Sequence, residues 1–153
     1  MKGTTSSYAW AFVDATINAS LNSVWNALTL PELTEKYMYG CQLYAEWIPG
    51  KRAVWKAQNR EGIWEDHVEA EVLVYQPKTH LAFKIMHQAT KDYPAAVSEL
   101  HFYLDSNEEA VHLRIEQGDF TTITQGLERS KKCQEGWEYV LPNLIKTCKT
   151  TNE

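Results

Sequence analysis

The sequence predicts an α+β fold, a curved antiparallel sheet of about seven strands wrapped around a long C-terminal helix. One apolar stripe at helical spacing runs through residues 125–149. Ahead of it, residues 42–117 break into short alternating runs whose connections are too short for helical crossovers, which makes the sheet antiparallel. Two brief helical patterns separate these runs from a first strand.

That first strand is read at Tyr8–Ile17, dense in aromatic and small or branched residues without a breaker, although its inward phase is ambiguous from pattern alone. Ser20 then caps a short helix in which Leu21, Val24, Trp25 and Leu28 form a single stripe. Pro31 opens a second short helix through Leu33 and Tyr37, stopped by Gly40. The turns Ile48-Pro49-Gly50, Arg60-Glu61-Gly62, Gln76-Pro77-Lys78 and Asp105–Glu108 divide the following stretch into six strands.

Matching apolar phases registers two hairpins. Around Gln76–Lys78, Val74 faces Leu81, Val72 faces Phe83, Ala70 faces Ile85 and Val68 faces His87, and the same face continues to Asp66 and Trp64. Around Asp105–Glu108, Phe102 faces Val111 and Leu100 faces Leu113 inside, while Glu99 meets Arg114 and His101 meets His112 outside. In the final helix Cys133, Trp137, Val140, Leu141, Leu144, Ile145 and Cys148 share one face, and Pro142 should bend it near Glu138.

The chain of 153 residues fits one domain, read as residues 8–149 between a flexible N-terminus, 1–7, and a tail, 150–153. A net charge of -5 and the lack of any Lys/Arg concentration argue against a nucleic-acid partner. No segment reaches the length of a membrane span and the N-terminus has no leader pattern, so a cytoplasmic protein is expected. Cys41, Cys133 and Cys148 have no metal-binding spacing. On one helix Cys133 and Cys148 would stand about 22 Å apart, so free thiols are expected.

Ala15–Ser20 running into Val24-Trp25, Glu71–Pro77 followed by Leu81-Ala82-Phe83, and Gly136–Leu144 fall in order at compatible spacing. With the element order they resemble the helix-grip fold of START-like, Bet v 1-like proteins, also grouped as the SRPBCC superfamily. The wording is most similar to its branch related to the activator of the heat-shock protein 90 ATPase, the AHSA type. One departure stands out: many relatives carry a Trp pair where this chain has Tyr37-Met38-Tyr39. The resemblance implies a cavity between sheet and helix, used across the superfamily for hydrophobic ligands and in some branches for catalysis. Fold alone does not choose among these.

Six Trp and eight Tyr supply aromatic surface either for such a cavity or for a filled core. The expected ligand contacts are Trp47, Trp55, Trp64, Asp66, Phe83, His87, Phe102, Trp137 and Leu141. Asp66 beside His87 is the candidate acid–base pair, or alternatively two residues in water at the open end of the sheet. Glu46 and Glu65 are alternative acids. His101 opposite His112 could hold a metal only adventitiously, so no metal and no cofactor is expected. The sequence lacks a glycine-flanked nucleophilic serine, a phosphate-cradling loop and a dinucleotide fingerprint.

The leading expectation is a domain that binds a small hydrophobic or amphipathic ligand, as monomer or homodimer. The alternatives are a co-chaperone-type interaction domain with a chaperone as partner and, behind it, a cyclase or hydrolase using Asp66 and His87.

Overall fold

The computed structural model describes residues 8–107 and 109–150. Among them the chain forms β1 (Trp10–Ile17), α1 (Leu21–Thr29), α2 (Pro31–Thr34), β2 (Gln42–Ala45), β3 (Arg52–Gln58), β4 (Trp64–Gln76), β5 (His80–His87), β6 (Ala96–Ser106), β7 (Val111–Gly118) and α3 (Gly126–Thr150). The strands make one antiparallel sheet in the order β1-β7-β6-β5-β4-β3-β2. This is the α+β helix-grip arrangement expected from the sequence. The expected termini, 1–7 and most of 150–153, and Glu108 lie outside the described residues.

Local chemistry explains the element boundaries. Ser20 accepts from Ser23 N–H and caps α1, whose Val24, Trp25 and Leu28 are buried. Pro31 occupies the first turn of α2, and turns carry the chain from there to Gly40, whose φ of 78° a side chain would resist. In α3, Trp137, Val140, Leu144 and Cys148 are buried, and Pro142 lies inside the helix. Gly126 begins α3 hard against a 3₁₀ turn at Phe120–Thr122, where a Cβ would meet the Phe120 carbonyl oxygen.

The β1 phase, open in the sequence, is settled by burial: Ala11, Val13 and Ile17 point inward while Trp10 and Phe12 face out. β1 is also an edge strand, with unpaired backbone groups on its free side. There Gln134 of α3 substitutes for a neighbouring strand. Its Oε1 accepts from Phe12 N–H at 2.8 Å and its Nε2 donates to Phe12 C=O at 2.8 Å.

Three register expectations need correction. Val72 faces Phe83 and Ala70 faces Ile85, but a bulge between Val72 and Val74 puts Tyr75, not Val74, opposite Leu81. Across β6 and β7, Phe102 faces Ile115, Leu104 faces Leu113 and His101 faces Glu116. The expected pairs Phe102–Val111, Leu100–Leu113, Glu99–Arg114 and His101–His112 therefore do not form. An even slip leaves every side chain on its face, so alternation could not detect it. Finally, Trp55 opposes Val68 and Lys56 opposes Asp66, leaving His67 as one extra residue in β4. That bulge reverses the phase of everything before it.

All three cysteines are free. No helix among the described residues is long and apolar enough to cross a membrane.

Replacing Gln134 with Ala should lower stability by about 1 kcal/mol, the net worth of hydrogen bonds whose partners water can re-satisfy. Urea unfolding measures that loss. Sedimentation velocity should also detect stronger concentration-dependent association, through the exposed β1 edge, than in the parent protein.

Candidate functional site

The inward faces of β3 to β7 and one side of α3 do not close on each other completely. At the α1 end the space is filled. There Trp25, Tyr75, Trp47, Phe83 and Trp55 touch in sequence, with ring centroids 4.9 to 6.1 Å apart. Tyr37 closes the same region, its hydroxyl donating to Ala27 C=O at 2.7 Å, and burial pushes its pKa up. Towards the other end lies a cavity of about 500 Å³, open to solvent, walled by Met38, Trp55, Val68, Ile85, Leu100, Phe120 and Trp137.

One polar chain crosses the cavity wall from helix to sheet. Gln117, inward on β7 after Leu113 and Ile115, accepts at Oε1 from Trp137 Nε1 at 2.9 Å and from the Cys133 thiol at 3.3 Å. Its Nε2 donates to Ser98 Oγ at 3.0 Å, which is in turn 2.8 Å from His87 Nε2. Burial raises the Cys133 thiol to about 12, so it is a neutral donor. No buried side-chain polar atom among the described residues lacks a partner.

The rim carries charge of one sign. Arg129 and Lys132 from α3, with His67 and His87, line the cavity, and no Asp or Glu among the described residues does. Arg129 Nη1 donates to Pro94 C=O at 3.0 Å, and its guanidinium lies 5.0 Å from the Tyr93 ring centroid. The Tyr93 hydroxyl donates to Glu128 at 2.6 Å, which lifts its pKa to about 12. Burial first, and the Arg129 charge second, hold His87 below the ordinary imidazole range.

Of the residues expected to contact a ligand, Trp55, His87 and Trp137 line this cavity. Phe83 and Trp47 belong to the packed aromatic chain, Phe102 stands edge-on behind Trp137, and Leu141 packs half-buried against the core. Trp64 and Asp66 need correction. The bulge at His67 turns them to the outer face, where Lys56 Nζ lies 5.7 Å from the Trp64 ring and Asp66 accepts from Arg52 Nη2 at 2.9 Å. Arg52 also bonds Glu69 at 3.0 Å. Asp66 and His87 are therefore not brought together.

The alternative acids Glu46 and Glu65 do not line the cavity either; Glu65 accepts from Asn59 at 3.0 Å. His112 bonds Asp14 at 2.8 Å, and the neighbour of His101 is His80, at 2.9 Å. Among the described residues no His, Cys, Asp or Glu cluster could hold a metal ion. The Tyr37-Met38-Tyr39 departure divides three ways: Tyr37 is core, Met38 lines the cavity, and Tyr39 stacks on Tyr139 outside.

Sequence reasoning missed Gln117, Arg129 and Lys132. A signal existed for the first two. Gln117 is a polar residue on the inward phase of β7, and Arg129 stands one and two turns before Cys133 and Trp137 on the buried face of α3.

The depressed His87 has a thermodynamic consequence. The unfolded chain binds its proton more readily than the folded one, so stability is full above the usual imidazole pKa of about 6.5 and falls as pH drops through it. His80, lowered by burial and by His101 and Arg114, adds a loss of the same sign. Urea midpoints measured from neutral to acidic pH should fall less steeply in His87→Gln than in the parent protein.

Comparison with known proteins places this architecture. Protein MLL2253 from Mesorhizobium loti superposes with a TM-score of 0.74 at 21% identity, covering 94% of this chain and 99% of that one. Protein NE0264 from Nitrosomonas europaea gives 0.71 at 15%, covering 93% and 95%. DynU16, a protein in the dynemicin biosynthetic locus, gives 0.69 at 18%, with 93% of this chain matching 48% of that chain. No curated protein matches. A model of the family described as activator of Hsp90 ATPase homolog 1-like protein matches residues 18–149. With that match over most of its length, the chain belongs to the AHSA-type family of START-like domains.

Proposed function

We propose that the cavity between the sheet and α3 binds a small apolar or amphipathic molecule. The observation that carries this reading is the space itself. About 500 Å³ lies within the range of small-molecule sites, its walls are mostly apolar, and a few polar groups converge on it. Trp55 and Trp137 are the aromatic contacts in this reading, His87 is a polar one, and Trp47, Phe83 and Phe102 support the walls from behind. The satisfied Gln117 network favours binding over catalysis, because Cys133 is neutral and no carboxylate reaches His87. A cyclase or hydrolase built on Asp66 and His87 has lost its pair.

A second reading, an interaction domain acting on a chaperone, is favoured by the family description. Adding the protein to purified Hsp90 and following ATP turnover tests it, with stimulation as the supporting result.

For the binding reading, native mass spectrometry of protein purified from its own host should detect a stoichiometric compound that leaves on denaturation. In vitro, a neutral apolar fluorophore should quench the emission of Trp55 and Trp137 on binding. Filling the space with Leu100→Trp should weaken that fluorophore about tenfold or more while circular dichroism stays that of the parent. Unchanged affinity in this folded variant would place the fluorophore elsewhere and remove the proposal's support.

A further inference from the structure

The charge on the rim narrows the ligand class. The whole chain carries 20 Asp and Glu against 15 Lys and Arg, yet among the described residues the cavity lining holds two cations and two histidines and no carboxylate. The nearest acids along α3, Glu128 and Glu135, border Lys132 in the adjacent groove and do not line the cavity itself. Arg129 and Lys132 sit three residues apart on α3, neighbours on one helix face. Neither forms an ion pair among the described residues; Arg129 differs in this from Arg52 and Arg114, which both pair with carboxylates, whereas no described lysine does.

Arg129 is also held in place. The Pro94 carbonyl takes one of its donors and the Tyr93 ring lies beside it, and the guanidinium makes no other hydrogen bond among the described residues. The acid beside it in sequence, Glu128, accepts from the Tyr93 hydroxyl and keeps its charge, but it lies outside the cavity lining. A fixed guanidinium beside a low-dielectric apolar wall attracts an anion more strongly than the same group in open water.

We propose that the cavity takes an amphipathic anion, its apolar body between Trp55 and Trp137 and its carboxylate, sulfonate or phosphate head at Arg129 and Lys132. This rests on the cavity being a ligand site, and it adds the sign and position of the head group.

Two probes with the same ring system separate the two statements: anilinonaphthalene sulfonate, which is anionic, and N-phenylnaphthylamine, its neutral counterpart. The parent protein should bind the anion more tightly, and added salt should weaken the anion alone. The double variant Arg129→Gln, Lys132→Gln should lose about tenfold or more in affinity for the anion and keep its affinity for the neutral probe, which also certifies an intact cavity. Competition by a fatty acid, an alkyl sulfonate and an alkyl phosphate of equal chain length then distinguishes the head groups. If the double variant binds both probes as the parent does, the anion inference falls and the cavity reading stands. Equal weakening of both probes would mean that the cations only shape the rim, which also overturns the inference. If neither probe binds the parent protein, both readings fall.

Discussion

The distance at which α3 stands off the sheet decides whether this protein has a cavity, and Gln117 is the side chain that bridges it at the cavity wall, while Gln134 ties the same helix to the β1 edge. Its amide joins Trp137 and Cys133 on the helix to Ser98 and His87 on the sheet. Apolar contacts alone would favour closing the gap, because buried surface is non-directional and rewards any collapse. A buried amide is different. Moving the helix inward or sideways would leave one of its donors or acceptors without a partner, at a cost of about 1–3 kcal/mol each. The network therefore fixes a geometry that hydrophobic packing would not choose by itself.

That geometry divides the interior into two regions of different character. At the α1 end, aromatic rings fill the volume and behave as ordinary core. At the Arg129 end, the same sheet face continues but Phe120, Met38 and the rim residues leave space. The division runs between Trp55 and Phe83, which touch at 4.9 Å. Trp55 is both the last ring of the core and the first wall of the cavity.

The order of elements could be read from the sequence because each is encoded locally: a serine cap, a proline at a helix start, turns between alternating runs, and a long helical stripe. Two of the errors in the site came from one physical source. Counting in twos from Val68 back to Asp66 assumes an unbroken strand, and His67 breaks it. A bulge has no strong residue signature, being stabilised by the neighbouring strand and not by its own side chain. The β6–β7 slip was invisible for a different reason, since the outside charge pair Glu99–Arg114 was chemically attractive while the native partners of Arg114 are Glu116 and the Tyr103 ring. Separating Trp47 and Phe83 as core from Trp55 and Trp137 as lining required knowing where volume is left over, which is a property of the assembled whole.

The bulge at His67 also makes the length of β4 a setting in its own right. Substitutions along the strand change one side chain at a time, whereas loss of a single codon at His67 would restore strict alternation and rotate the whole segment before it. The Arg52-bound carboxylate of Asp66 and the ring of Trp64 would turn towards the interior together, and Glu65 would turn away. A form of this chain lacking His67 would carry Asp66 on the cavity side, where no acid among the described residues lines the space now. In this chain, then, one residue gained or lost in this strand is enough to change which acids face the cavity.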